Sequence, residues 1–262
     1  MKHIPNFITS LNLASGFMAI IFAAKGELAT ASWLILAAMV FDFFDGLSAR
    51  LLKAYSEMGK ELDSLADIVS FGAAPAFILS HLIYNSVHDI PVESQGYLAI
   101  LVPIASFIPV FMPVCAALRL AKFNIDATQY KSFKGLPTPA NAIAVITVIF
   151  AAEFAASPII NSFTESTVAL LIYTVVLSLL MVTRLPLLSN KFTTIKFRGN
   201  EGRYIFIGLC LILFLVFGFA STPLIIPLYI IASLIENFFL KKSSDPPCSD
   251  ASAVTPLPGN EG

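Results

Sequence analysis

Four aspartates, two small residues and an arginine share one short stretch of this chain. It reads D-F-F-D-G-L-S-A-R from Asp42 to Arg50 and, eight residues on, G-K-E-L-D-S-L-A-D from Gly59 to Asp67. A helix turns about 100° per residue, so relative to Asp42 the side chains of Asp45, Gly46 and Ala49 fall at about −60°, +40° and −20°, on one face. Asp63 and Asp67 are four apart and share a face of the next helix. Four carboxylates converging from two helices attract hard divalent cations, and Mg²⁺-type ions commonly bridge to the phosphates of a substrate. Gly46 and Ala49 leave room for a bulky group beside the acids, and Arg50, one turn past Gly46, is placed to take a phosphate. A lone aspartate at a helix end is ordinarily a cap or a solvated terminus. Asp42 instead closes the apolar run A-S-W-L-I-L-A-A-M-V-F, where a carboxylate is costly and usually functional.

The elements that must position these residues are membrane helices. Of 262 residues, 57% are hydrophobic and only 13% charged, against about 45–50% and 25% in soluble domains. The net charge of −1 gives no footprint for nucleic acid. Apolar segments of membrane-spanning length fall near 7–24, 29–51, 64–84, 97–121, 137–156, 164–183, 203–220 and 222–240, the last two separated only by a tight turn before Pro223. The expected fold is all-α, a polytopic helix bundle with about eight transmembrane helices. With that count, 15 of the 16 basic residues fall on the side shared by both termini, and only Lys25 falls opposite. The positive-inside rule then puts both termini and the aspartates at the cytoplasmic face. Cys115, Cys210 and Cys248 lack metal-ligand spacing, and His3, His81 and His88 are scattered. An N-terminal signal peptide is disfavoured because I-P-N-F-I-T-S-L-N-L-A-S-G is too polar for an h-region.

The pattern D-x2-D-G-x2-A-R-x8-G-x3-D-x3-D resembles, position for position, the signature of the CDP-alcohol phosphotransferases, integral membrane enzymes that displace CMP from a CDP-linked lipid or alcohol. Three further stretches resemble the phosphatidylserine synthase branch of that family. One is the opening P-N-x-x-T-x-x-N-L-x-x-G, carried by Pro5, Asn6, Thr9, Asn12, Leu13 and Gly16. The others are L-R-L-A-K-F-N (Leu118 to Asn124) and F-K-G-L-P-T-P-A (Phe133 to Ala140). Lys122 stands where that branch more usually has arginine, which keeps the charge and loses the bidentate fork.

The resemblance implies a membrane-embedded phosphatidyltransferase domain over 1–242; the tail over 243–262 lies outside it and, being Pro/Ser-rich, is expected to be disordered. The resemblance also implies transfer of a phosphatidyl group from CDP-diacylglycerol to L-serine at the inner (cytoplasmic) membrane, by a homodimer. Asp42, Asp45, Asp63 and Asp67 would hold two divalent ions, Mg²⁺ or Mn²⁺, with Asp67 also the general base. Gly46, Ala49, Arg50 and Gly59, with Thr9 and Asn12, would contact nucleotide or phosphate. Thr9 and Asn12 are equally suited to capping and interhelical hydrogen bonds. Arg119, Lys122, Asn124, Gly135 and Thr138 are candidates for binding the acceptor or the lipid phosphate; the Gly-Leu-Pro-Thr-Pro turn opens a helix, whose free N–H groups suit an anion. Basic residues at such a boundary also simply follow membrane charge rules. Glycerol 3-phosphate, inositol phosphate or choline as acceptor, or a cation-coupled transporter, are the competing readings.

Overall fold

The computed structural model describes residues 3–88, 104–125, 135–155, 157–183, 185 and 201–240. Lys2, Lys131, Lys134, Arg184, Lys191, Lys196, Arg198, Lys241, Lys242, Cys248 and the tail over 243–262 lie outside them. Every regular element among the described residues is helical. In chain order these are α1 (His3–Ala24), α2 (Leu28–Leu51), α3 (Glu57–Asp67), a π-helical turn (Ile68–Ala73), α4 (Ala74–His88), a 3₁₀ turn (Ile108–Val110), and α5 (Phe111–Ile125). They are followed by α6 (Thr138–Ala155), α7 (Pro158–Glu165), α8 (Thr167–Val182), α9 (Glu201–Phe217), a second 3₁₀ turn (Gly218–Leu224) and α10 (Ile225–Leu240).

The helices pair through small residues, as membrane helices do where side-chain bulk would hold backbones apart. Ala19 and Ala23 of α1 and Ala31 and Ala38 of α2 are fully buried along the first hairpin. Its turn runs through Gly26 at φ 85°, a left-handed conformation that suits glycine. The core joins Ile35, Phe71, Ile78, Ile83, Met112 and Leu170. α6 is the central helix, buried almost without interruption from Asn141 to Ala151. Tyr173 Oη donates to the Ala144 carbonyl at 2.7 Å and Thr222 Oγ1 to the Thr147 carbonyl at 3.0 Å, fixing α8 and the second 3₁₀ turn to it. Outside, α8 and α9 present Ile172, Leu179, Leu211, Leu215 and Val216 uncovered, an apolar exterior suited to lipid rather than water. The protein is a multi-pass membrane protein.

Six helical stretches are long and apolar enough to cross a membrane, or seven if α7 and α8, bent by 83°, form one span. The eight apolar segments of the sequence correspond to seven such stretches because α9 and α10, of 17 and 16 residues, adjoin in a single one, Phe206–Leu234. That stretch folds back on itself. The rings of Phe206 and Tyr229 lie 6.0 Å apart between centroids, where 23 residues of straight helix would separate them by about 35 Å. The reversal occurs at the second 3₁₀ turn, entered through Gly218 at φ 58°.

Candidate metal and phosphate site

α2 and α3 are joined by a short connection in which Ser56 caps α3, its Oγ accepting from the Gly59 backbone N–H at 3.0 Å. The cap fixes where α3 begins and so which face carries its acids. From that face Asp63 and Asp67 meet Asp42 of α2. Each of these three can offer one carboxylate oxygen such that all lie within 4.8 Å of one another. Asp45, one turn along α2, is buried at 6% exposure beside them. The Thr9 hydroxyl of α1 donates to the Pro5 carbonyl at 3.0 Å and also stands within reach of Asp45, so its single proton can serve either.

Asp45 Oδ2, Asp63 Oδ1 and Asp67 Oδ1 are buried without a hydrogen-bond partner among the described residues. Carboxylates gathered this closely repel one another, and unpartnered buried oxygens are costly. Both problems are resolved by a hard cation, which takes oxygen ligands and balances their charge. The donor set fits a divalent ion.

Arg119 of α5 brings a cation to this cluster. Its charge acts on Asp67, and Tyr229 of α10 acts on Arg119 in turn. Arg119 is half-buried, and its Nε has no partner among the described residues. Gly46 is open: a Cβ there would meet nothing within 4 Å, so no neighbour within the protein requires a glycine at this position. Ala49 is half-buried and Arg50 exposed, on the turn that follows.

Other candidates have structural work to do. A Cβ on Gly59 would stand 2.9 Å from Ser56 Oγ and 3.0 Å from Asn6 Oδ1, so glycine lets α3 lie against α1. Asn124 Nδ2 donates to Ser64 Oγ at 3.0 Å, and Lys60 Nζ donates to the Asn124 carbonyl at 3.3 Å, tying α5 to α3. Gly135, at φ 83°, packs where a Cβ would be 2.7 Å from the Met181 and Thr183 carbonyls. Lys122 is exposed. Thr138 and Asn12 are buried, and Thr138 Oγ1 and both polar atoms of the Asn12 side chain lack partners among the described residues. Two further buried polar residues belong to this region. Ser70 Oγ donates to the Asn12 carbonyl at 3.0 Å, and Asn141 Nδ2 donates to the Phe71 carbonyl at 3.1 Å. A cavity of about 380 Å³ lined by Gly26, Glu27, Leu82, Ile149 and Glu153 lies at the other end of the bundle, about 25 Å along α1 from Thr9.

Residues 2–182 match the sequence profile of the CDP-alcohol phosphatidyltransferases. The chain belongs to this family. Its similarity extends to proteins named CDP-diacylglycerol–serine O-phosphatidyltransferase. That of Mycobacterium leprae is 36% identical over 195 residues, covering 71% of this chain and 58% of that protein. That of Bacillus subtilis is 33% identical over 185 residues, 71% of this chain and 89% of that protein. That of Saccharomyces cerevisiae is 36% identical over 160 residues, 55% of this chain and 52% of that protein. The chain thus spans little more than half the length of the Mycobacterium and yeast relatives and most of the Bacillus one. Within this CDP-alcohol phosphatidyltransferase the matched region holds all four aspartates, Arg119, Thr138 and Asn141, whereas Tyr229 comes from beyond it. No motif marks Tyr229 in the sequence; the α9–α10 reversal brings it to Arg119.

Proposed function

We propose that this protein transfers the phosphatidyl group of CDP-diacylglycerol to L-serine, giving phosphatidylserine and CMP. Family membership supports the CDP-alcohol chemistry, and the names of the relatives support serine as acceptor. The observation that carries the mechanism is the meeting of Asp42, Asp63 and Asp67 within 4.8 Å.

Asp42, Asp45, Asp63 and Asp67 would hold two divalent ions, Mg²⁺ or Mn²⁺. Such ions, when bound, neutralise pyrophosphate charge and stabilise the departing CMP. The chain's own groups do the rest, largely by positioning, as is usual in phosphoryl transfer. The open flank of α2 at Gly46 and Ala49 admits the nucleotide, and Arg50 beyond it holds a phosphate. Asp67 takes the proton of the serine hydroxyl as its oxygen bonds to the lipid-bearing phosphorus and the bond from that phosphorus to CMP breaks. A positioned base contributes about 10²–10⁴-fold to such a step. Arg119, beside Asp67, orients that carboxylate and offers its guanidinium to the serine carboxylate or the lipid phosphate. Asn12 and Thr138 bring buried polar atoms to the same region. Residues 1–242 form the catalytic domain, the site faces the cytoplasm by the distribution of basic residues, and the enzyme works as a homodimer in the cytoplasmic membrane.

The test is CMP release by purified protein offered single acceptors. Release with L-serine supports the proposal; release only with glycerol 3-phosphate, inositol phosphate or choline replaces the acceptor and keeps the chemistry. Metal-dependent ion transport without CMP release would favour a transporter.

A further inference from the structure

Directly after Asp67 the helix widens into the π-helical turn Ile68–Ala73, closed by the Ala74 N–H donating to the Val69 carbonyl five residues back. The cause is local. In an α-helix the Phe71 carbonyl would accept from residue 75, but that residue is Pro75, which has no N–H and whose ring clashes with the carbonyl four residues before it. Asn141, fully buried on α6, supplies the donor that Pro75 lacks, its Nδ2 standing 3.1 Å from the Phe71 oxygen.

The turn is gripped from three sides. Ser70 Oγ donates to the Asn12 carbonyl of α1 at 3.0 Å, and α1 comes so close that a Cβ on Gly16 would fall 2.6 Å from Ser70 Cα. Gly72 faces α5, where a Cβ would stand 3.1 Å from Ala116 Cβ. Phe71 is held by α6 through Asn141. Below the turn, α4 is anchored in the core by Ile78, Leu79 and Ile83. The turn therefore sets the rotation of Asp63 and Asp67 relative to that anchor. Accommodating one residue fewer, an α-helical turn would swing Asp67 by about 100° about the axis, off the face that meets Asp42. π-turns of this kind recur at functional sites.

We propose that Asn141 is a positioning residue: by holding the Phe71 carbonyl it keeps the π-turn open and Asp67 in register with Asp42 and Asp63. The inference rests on reading those carboxylates as a metal site. It is tested by restoring the backbone partner without the turn. In Asn141→Leu the Phe71 carbonyl loses its donor, and thermal stability in detergent falls. In the double variant Asn141→Leu/Pro75→Ala residue 75 regains an N–H, and stability returns toward wild type. Mn²⁺ binding, measured by calorimetry without substrate, nevertheless stays at least about tenfold weaker than wild type, the loss usual when the support of a metal ligand is removed. A stable double variant with wild-type Mn²⁺ affinity would overturn the inference and leave Asn141 a backbone partner alone. Wild-type protein that binds no Mn²⁺ would overturn the metal reading and this inference with it.

Discussion

Arg119 of α5 and Asp67 of α3 are coupled through their charges, each acting on the other. Asp67 belongs at once to the carboxylate trio and to this pair, so one residue links the candidate metal site to Arg119. Arg119→Ala is expected to lower kcat/KM for serine by at least about 10²-fold, about 2.7 kcal/mol, the scale of a lost charge-assisted contact in a desolvated site. Arg119→Lys recovers only part of it, since a point charge does not replace the planar fork. Steady-state kinetics with serine as varied substrate decides: an unchanged KM and rate in Arg119→Ala would clear the residue of both roles.

Asp67→Asn keeps the shape of the side chain and removes its ability to take a proton. Turnover is expected to fall by about 10²–10⁴-fold while CDP-diacylglycerol still binds. A binding assay with the lipid nucleotide, run beside CMP release, separates the two effects. Wild-type-like turnover in Asp67→Asn would remove the base assignment.

Gly46 and Gly16 make an opposed pair. At Gly46 an added Cβ meets nothing in the protein, and alanine in a helix interior is favoured over glycine by about 0.5–1 kcal/mol. Gly46→Ala is therefore expected to unfold at the same or a higher temperature while the KM for CDP-diacylglycerol rises. An unaltered KM would mean that the nucleotide does not approach this flank.

At Gly16 the side chain would enter the Ser70 backbone. Gly16→Val is expected to cost about 1–3 kcal/mol by overpacking, seen as a lowered midpoint in a detergent thermal melt. Because Ser70 lies in the π-turn, activity should fall with it. A variant as stable as wild type would show that α1 and the π-turn can part without penalty.

Much of the site was legible because helical spacing alone puts Asp42 with Asp45, and Asp63 with Asp67, on single faces. The convergence of the two helices followed from the short connection between them. Pro75 frees a backbone group that a neighbouring helix must satisfy, and Asn141 of α6 does so; its register against Phe71 depends on how α6 packs, which no local pattern encodes. Gly59 illustrates the reverse. Its place in the motif suggested phosphate contact, whereas its close neighbours, Ser56 and Asn6, give it a packing reason. Asn124, Gly135 and Tyr229 took their meaning from tertiary contacts: two as ties between helix ends, the third by the folding back of α10. The 83° bend between α7 and α8 falls at Ser166, whose extended backbone ends α7 and whose Oγ caps α8, punctuation that a segment beginning near 164 passed over.

Chelation bears on the carboxylate trio itself. Exhaustive treatment with EDTA is expected to abolish CMP release, and Mg²⁺ or Mn²⁺ to restore it. In Asp42→Asn or Asp63→Asn restoration should require more metal, about 10-fold or beyond, because each variant removes a charged ligand. Full activity in the chelated protein would exclude a metal held by these residues.

The central claim is the transfer of a phosphatidyl group to serine, and the most direct test is CMP release by detergent-purified protein given CDP-diacylglycerol and Mg²⁺ or Mn²⁺. L-serine, glycerol 3-phosphate, inositol phosphate and choline are offered in separate reactions. Metal-dependent release with L-serine and with none of the others is the predicted result. Folded protein that releases CMP with no acceptor, or only with one other than serine, would contradict it.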